Sequence, residues 1–275
     1  MDIRLIAMDL DGTALCKDRC SFSPRLKAAL EAAFHKGVAI VPITGRQYDL
    51  LPPAVAEHPD WSSFVVVCNG GQIRRLKTGE LIHGLNIPSQ SLYQLHALAE
   101  ELDIPLEFSL NGKLHLTQKS YDQQYPQEQL AFHVHTVLPQ CGVMVDSLLP
   151  MCEMDGIEKA QLPSILPQYK QLVDERLRKI DVSAVWSSSS SMEITHSDAT
   201  KGNALEQLSN LLDIPMAQIM ALGDSGNDIP MLLRAGLGVA MGNAPDDVKN
   251  VADVITESNV NDGAAIAIER YVLHM

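Results

Sequence analysis

Apolar runs with no clean polar alternation recur near both ends of the chain, at 3–8, 38–43, 65–68, 219–222 and 237–241. Such runs, when closed by turn residues, read as strands buried on both faces of a parallel sheet. Between them, apolar residues fall at helical spacing: Leu26, Ala29, Leu30, Ala33 and Phe34 in one stretch, and Ala204, Leu205, Leu208, Leu211 and Leu212 in another. Ser23 and Pro24 suit the start of the first helix and Gly37 its end. The same reasoning predicts helices over about 47–57, 229–234, 245–250 and 263–271, and an edge strand over 253–255. Strands alternating with helices make βαβ units, so an α/β fold with a doubly wound parallel sheet is expected.

The pattern changes in the middle of the chain. Residues 73–85 predict two short strands around Thr78-Gly79, and from about 86 to 186 helical stretches (91–102, 162–177) mix with strand-like pieces (106–110, 113–117). This predicts an inserted α+β domain over 83–186, with 1–82 and 187–275 forming the core. The five serines at 187–191 read either as a flexible linker or as the lead into a strand at 192–195 that returns to the core.

A chain of 275 residues can bury a sizeable core. Its formal net charge of −13 argues against a nucleic-acid or anionic-membrane surface. It does not exclude a small anionic substrate, because a bound cation and a few basic residues can reverse the local field. Cys16, Cys20, Cys68, Cys141 and Cys152 match no zinc spacing and read as reduced thiols. With no hydrophobic leader after Asp2 and Arg4, and no apolar stretch of about 20 residues, a cytoplasmic protein is expected.

The candidate chemistry collects where the apolar runs stop. Four of them end in polar, small-residue turns: Asp9 and Asp11, Thr44-Gly45, Asn69-Gly70, and Asp224 with Asn227 and Asp228. In a parallel sheet these ends share one edge, where open α/β sheets bind ligands. Clustered acids repel one another unless a cation sits among them, and hard oxygen donors suit Mg²⁺. Helix N-termini rich in Gly and Thr suit a phosphate. In this arrangement Asp9 is the natural covalent nucleophile, and Asp11 can protonate the leaving oxygen and later take a proton from water. Thr44 can donate to a phosphate oxygen, and Lys201 can neutralise its charge. Asp224 would share the metal with Asp9, and Asp228 would bind it directly or support a ligand. Gly45 and Asn227 join the phosphate-binding candidates. Arg46 either reaches the substrate or forms an ion pair.

The segments Asp9-Leu10-Asp11-Gly12-Thr13, Thr44-Gly45-Arg46, Thr200-Lys201-Gly202 and Gly223-Asp224-Ser225-Gly226-Asn227-Asp228 resemble, in order, the four motifs of the haloacid dehalogenase-like (HAD) hydrolases. With Asn69-Gly70-Gly71 the likeness is closest to the Cof-type sugar-phosphate phosphatases. It implies a Rossmann-like core, a C2-type α+β cap between the second and third motifs, and Mg²⁺-dependent phosphomonoesterase activity. It also implies metal ligation by Asp9, the backbone carbonyl of Asp11, and Asp224. One departure is Asp198-Ala199-Thr200 before the lysine, where Asp198 could cap the following helix.

Other readings use the same residues. A phosphomutase or phosphotransferase would pass the phosphoryl group to a hydroxyl rather than to water. A non-catalytic phospho-ligand sensor is expected to lack Asp9 or Asp11. A receiver-like phosphoacceptor needs neither Asp11 nor a long insertion. In the insertion, His133 and His135 on a strand would place both rings on one face, but no third metal ligand accompanies them. With His83, His96 and His115 they read as packing or solvated histidines. Met151, Met154 and Trp186 read as core. Neither the substrate nor the oligomeric state, monomer or dimer, is legible.

Overall fold

A computed structural model describes residues 2–57, 60–125 and 127–275. Two compact units divide the chain. The first comprises Met1–Gln47, Leu51–His83 and Thr200–Met275, and the second Tyr48–Leu50 and Gly84–Ala199.

The first unit is built on a parallel five-stranded sheet. Its strands are β1 (Leu5–Met8), β2 (Ala39–Pro42), β12 (Ile219–Gly223), β13 (Leu237–Ala240) and β14 (Val254–Ile255), in the order β14-β13-β12-β1-β2. β3 (Phe64–Val67) touches this sheet through a parallel bridge from Val66 to Ile43. It then pairs antiparallel with β4 (Gln72–Arg75), and β5 (Leu81–Gly84) follows. Leu5, Ile6, Ala7 and Met8 are all fully buried, so β1 is covered on both faces and its sequence shows no alternation. Helix Lys201–Leu212 packs Ala204, Leu205 and Leu208 against Leu5, Ala7, Val41 and Ala221. Helix Pro24–His35 starts where Ser23 Oγ accepts from Leu26 N at 3.1 Å, with Pro24 in its first turn.

The helix expected over 47–57 is not continuous. It is a 3₁₀ turn at Tyr48–Leu50 and a short helix at Pro53–Ala56. Pro52 and Pro53 lack amide donors and disfavour a helical residue before them, which breaks the run.

The second unit carries a six-stranded sheet of β6 (Glu107–Leu110), β7 (Lys113–Leu116), β8 (Gly142–Met144), β9 (Ile157–Leu162), β10 (Ser183–Trp186) and β11 (Met192–Thr195). The order is β10-β11-β9-β6-β7-β8, antiparallel except between β7 and β8. Helices Ser89–Leu102 and Lys170–Leu177 close a core around Phe108, Ile157, Ala160 and Ile194.

Four expectations about this region change. Residues 162–177 are not one helix: Leu162 ends β9, and Pro163 and Pro167 delay the helix to Lys170. The serines 187–191 are neither linker nor lead-in. They form the loop of the β10–β11 hairpin, closed by Ser187 N to Ser191 O at 2.9 Å, so residues 187–199 lie in the second unit and β11 does not join the parallel sheet. His133 and His135 lie in helical backbone rather than on a strand. His133 Nε2 stands 3.0 Å from buried Glu107, and the His135 ring meets Tyr125 edge-on. Met151 is buried, but Met154 and Trp186 are exposed, the indole donating to Asp174 at 3.1 Å.

All five cysteines are free thiols. Among the described residues, no helix is long and apolar enough to cross a membrane.

Candidate active site

The carboxyl ends of β1 and β12 lie side by side, with Met8 paired to Leu222, so Asp9 and Asp224 leave neighbouring strands together. After Asp9 the chain turns through Gly12 at φ 80°. A Cβ at Gly12 would collide with the Asp224 carboxylate, and one at Gly223 with the Asp228 side chain. Glycine at both positions lets the two strand ends approach this closely.

Lys201 is buried at the start of its helix and bridges two acids. Its Nζ donates to Asp9 Oδ1 and Asp228 Oδ1, each at 2.6 Å. Thr200, not Asp198, caps that helix, its hydroxyl accepting from Asn203 N at 3.1 Å. The other Asp228 oxygen accepts from the Asp224 and Ser225 amides, both at 2.9 Å, which ties the acid to its own loop. Asp224 accepts from Thr13 Oγ1 at 3.1 Å and from Asn243 Nδ2 at 3.2 Å. Asn243 Nδ2 also donates to the Gly12 carbonyl at 2.9 Å.

Oxygens of Asp9, Asp224 and Asp228 all lie within 4.8 Å of one another. Burial pushes the Asp9 carboxyl up to about 8, against the pull of Lys201 and helped by the charges of Asp228 and Asp224. Burial and Asp228 raise Asp224 to about 6. Burial opposes the charge on Lys201, yet Asp228 and Asp9 hold its pKa well above the usual lysine range. Crowded carboxylates pushed toward neutrality, with an oxygen-only donor set, fit a hard divalent cation.

Asp11 faces another group. Arg46 donates to both of its oxygens, from Nε at 2.7 Å and from Nη2 at 2.8 Å, and Arg19 Nε donates at 3.0 Å. Burial works against its charge, but the hydrogen bonds and charges of Arg46 and Arg19 hold Asp11 below the usual carboxylate range. Arg46 thus forms an ion pair in the site itself, with only 18% of its side chain exposed. Thr44 is buried, its hydroxyl accepting from Arg46 N at 3.1 Å, and Gly45 lies half-buried between the two. Asn69 takes a left-handed backbone (φ 55°) and its Oδ1 accepts from Asn227 Nδ2 at 2.9 Å. Gly70 packs so tightly on the Thr200 carbonyl that a Cβ would not fit.

The model of the haloacid dehalogenase-like hydrolases matches residues 6–268. This chain belongs to that family. Bacillus subtilis YxeH is 33% identical to this hydrolase over 279 residues, covering 98% of each chain. The 5-amino-6-(5-phospho-D-ribitylamino)uracil phosphatase YcsE of the same organism is 30% identical over 273 residues, covering 99% of this chain and 97% of that one. Among solved structures, a HAD-superfamily phosphatase from Bacteroides thetaiotaomicron superposes with a TM-score of 0.82 at 27% identity, covering 98% of this chain and 94% of the other. The hydrolase is a Cof-type phosphatase, a phosphoric monoester hydrolase.

Sequence reasoning missed three residues that the structure brings against the candidate site residues of this HAD hydrolase. Thr13 is a member of the first motif, yet motif reading gave it no task. Asn243 follows the apolar run of β13, so the rule that found Asp9 and Asp224 at strand ends also points to it. Arg19 gave no signal, because it lies in a loop with no periodicity.

Proposed function

We propose that this phosphatase is Mg²⁺-dependent and hydrolyses small phosphomonoesters, sugar phosphates foremost, through a phosphorylated Asp9. The observation that carries the reading is the buried Lys201 bridging Asp9 and Asp228 beside Asp224, at the ends of parallel strands. The name of YcsE, which specifies a phosphorylated ribityl chain, supports the substrate class.

Asp9, Asp224 and the Asp11 carbonyl would hold Mg²⁺, with Asp228 beside them, and the ion would offset phosphate charge at the site. An Asp9 oxygen bonds to phosphorus as the ester P–O bond breaks; Asp11, paired with Arg46 and Arg19 before substrate arrives, takes a proton from solvent once Arg46 turns to the phosphate and hands it to the departing oxygen. Water then attacks the phosphorylated Asp9, Asp11 takes a proton from it, and orthophosphate leaves with the Asp9 carboxylate restored. Lys201 holds Asp9 in position and balances charge on the phosphoryl oxygens. Thr44 receives the Arg46 amide at its oxygen and still has a proton to donate. Gly45, Arg46 and Asn227 complete the phosphate-binding set.

A screen of phosphorylated metabolites for orthophosphate release, with Mg²⁺ present, tests the reading. Activity on small sugar phosphates is expected, and no release from any ester refutes it. EDTA is expected to stop release and Mg²⁺ to restore it. Mg²⁺ at about 100 times its Kd should add about 2.7 kcal/mol of stability. Undiminished rates in chelator would count against the metal.

Asp11→Asn separates the proton-transfer role from binding. On alkyl phosphates kcat/KM should fall about 10²- to 10⁴-fold. On 4-nitrophenyl phosphate, whose leaving group needs no proton, the fall should be much smaller. Equal losses on both esters would remove Asp11 as the acid.

A further inference from the structure

Four acids stand at the strand ends, and three of them have a cationic partner. Asp9 and Asp228 share Lys201, and Asp11 is paired with Arg46 and Arg19. Asp224 differs. Among the described residues no cation pairs with it. Thr13 Oγ1 donates to its Oδ1 at 3.1 Å, and Asn243 Nδ2 donates to its Oδ2 at 3.2 Å. Neutral donors fix the direction of a carboxylate without cancelling its charge, whereas an ammonium or guanidinium there would compete with a metal ion.

Asn243 does more than touch Asp224. The same Nδ2 donates to the Gly12 carbonyl at 2.9 Å, so one amide group joins the turn after β1 to the turn after β12. Gly12 lies so close to the Asp224 carboxylate that a Cβ would collide with it, so the two turns leave little room between them. The amide is itself fixed from behind. Asn259 N donates to Asn243 Oδ1 at 3.0 Å, and Asn259 Nδ2 donates to the Leu15 carbonyl at 3.1 Å. A backbone N–H only donates, so the end of the Asn243 amide that faces it is the oxygen, and both hydrogens of Nδ2 are left for Asp224 and Gly12. Backbone bonds set the loop after β13 in place: Met241 N donates to the Gly223 carbonyl at 3.0 Å, and Gly242 N to the Glu257 carbonyl at 3.1 Å.

Asn243 is exposed, so water can replace its bonds at little cost to the fold. Water does not hold two turns at one spacing. What the amide supplies is a fixed separation between the Asp224 carboxylate and the turn that carries the Asp11 carbonyl.

We propose that Asn243 is a positioning residue of the metal site: by tying Asp224 to the Gly12 turn, it sets the affinity of the phosphatase for Mg²⁺. This rests on the reading of Asp9, Asp224 and the Asp11 carbonyl as metal ligands. Groups that orient ligands in this way typically carry about 10- to 100-fold in metal affinity.

The test titrates Mg²⁺ into the metal-free protein by calorimetry, with thermal melts alongside. For Asn243→Ala the Kd for Mg²⁺ should rise about 10- to 100-fold, while the metal-free melting temperature stays within about 3 °C of the parent. In turnover, the Mg²⁺ concentration that gives half the maximal rate should rise with the Kd, and saturating Mg²⁺ should return kcat to within about threefold of the parent. A residue that only supports the fold would lower the metal-free melt and leave the Kd where it was. A Kd that does not move, or that rises only as the metal-free melt collapses, overturns the proposal. If Asn243→Ala does not fold, Asn243→Ser, whose hydroxyl is too short to reach both acceptors, carries the same comparison. Parent protein that binds no Mg²⁺ overturns the metal reading and this proposal with it. A parent that binds Mg²⁺ no better than the variant overturns this proposal alone.

Discussion

Asp9→Asn leaves a folded protein that releases no orthophosphate, a fall of about 10⁴-fold or more. The amide matches the carboxylate in shape, and its oxygen can still accept from Lys201, which now donates to Asp9 Oδ1 at 2.6 Å. The strand is undisturbed, since the Asp9 amide bonds to the Leu222 carbonyl at 3.0 Å through the backbone. An amide oxygen, however, is a poor nucleophile toward phosphorus, and no covalent intermediate forms. Because burial already disfavours the charge on Asp9, the variant should melt no lower than the parent in the absence of metal. Orthophosphate detection and a thermal melt read the two halves of this expectation. A variant that turns over normally with an unchanged melt removes Asp9 as the nucleophile.

Lys201→Met has two effects at once. It removes the ammonium shared by Asp9 and Asp228, both buried, and strands their charges. Breaking a buried ion pair from one side costs about 3–5 kcal/mol, because the remaining charge is uncompensated. Turnover should fall by about 10²- to 10³-fold, as when one preorganised charge-stabilising group is lost. Methionine fills much of the lysine stem volume, so the loss is electrostatic rather than a cavity. Denaturant melts and kcat report on the two separately. An unchanged stability would mean that solvent or a cation already compensates the acids. An unchanged kcat would remove Lys201 from the chemistry.

The parallel sheet, and the meeting of most candidate site residues, were legible because burial on both faces writes itself as uninterrupted apolar runs, and the candidates stand in the turns after them. Asp9, Asp224, Asp228 and Lys201 meet because strands buried in this way must stack side by side. The second unit was less legible. Its central strands bury polar residues, Glu107 and Ser109 in β6 and Glu158 and Lys159 in β9, so they do not read as apolar runs, and Pro163 and Pro167 interrupt a stretch whose apolar spacing still resembles a helix. The serine run was ambiguous because hairpin loops and linkers share a composition, and only the pairing of β10 with β11 decides between them. His133 was misplaced for a similar reason: its alternating His-Val-His pattern suits a strand, while the contact that fixes it, Glu107, lies 26 residues away. Arg19 shows the limit most clearly, since nothing local ties it to Asp11.

Each unit closes around its own apolar core, and each holds one of the two tryptophans of the chain. Trp61 is buried in the first, 6.1 Å from the Phe22 ring, and Trp186 is partly open to water in the second. Indole emission shifts with solvent contact, so intrinsic fluorescence carries two separate optical reporters. Replacing either indole with phenylalanine leaves a signal that follows the unfolding of the other unit alone.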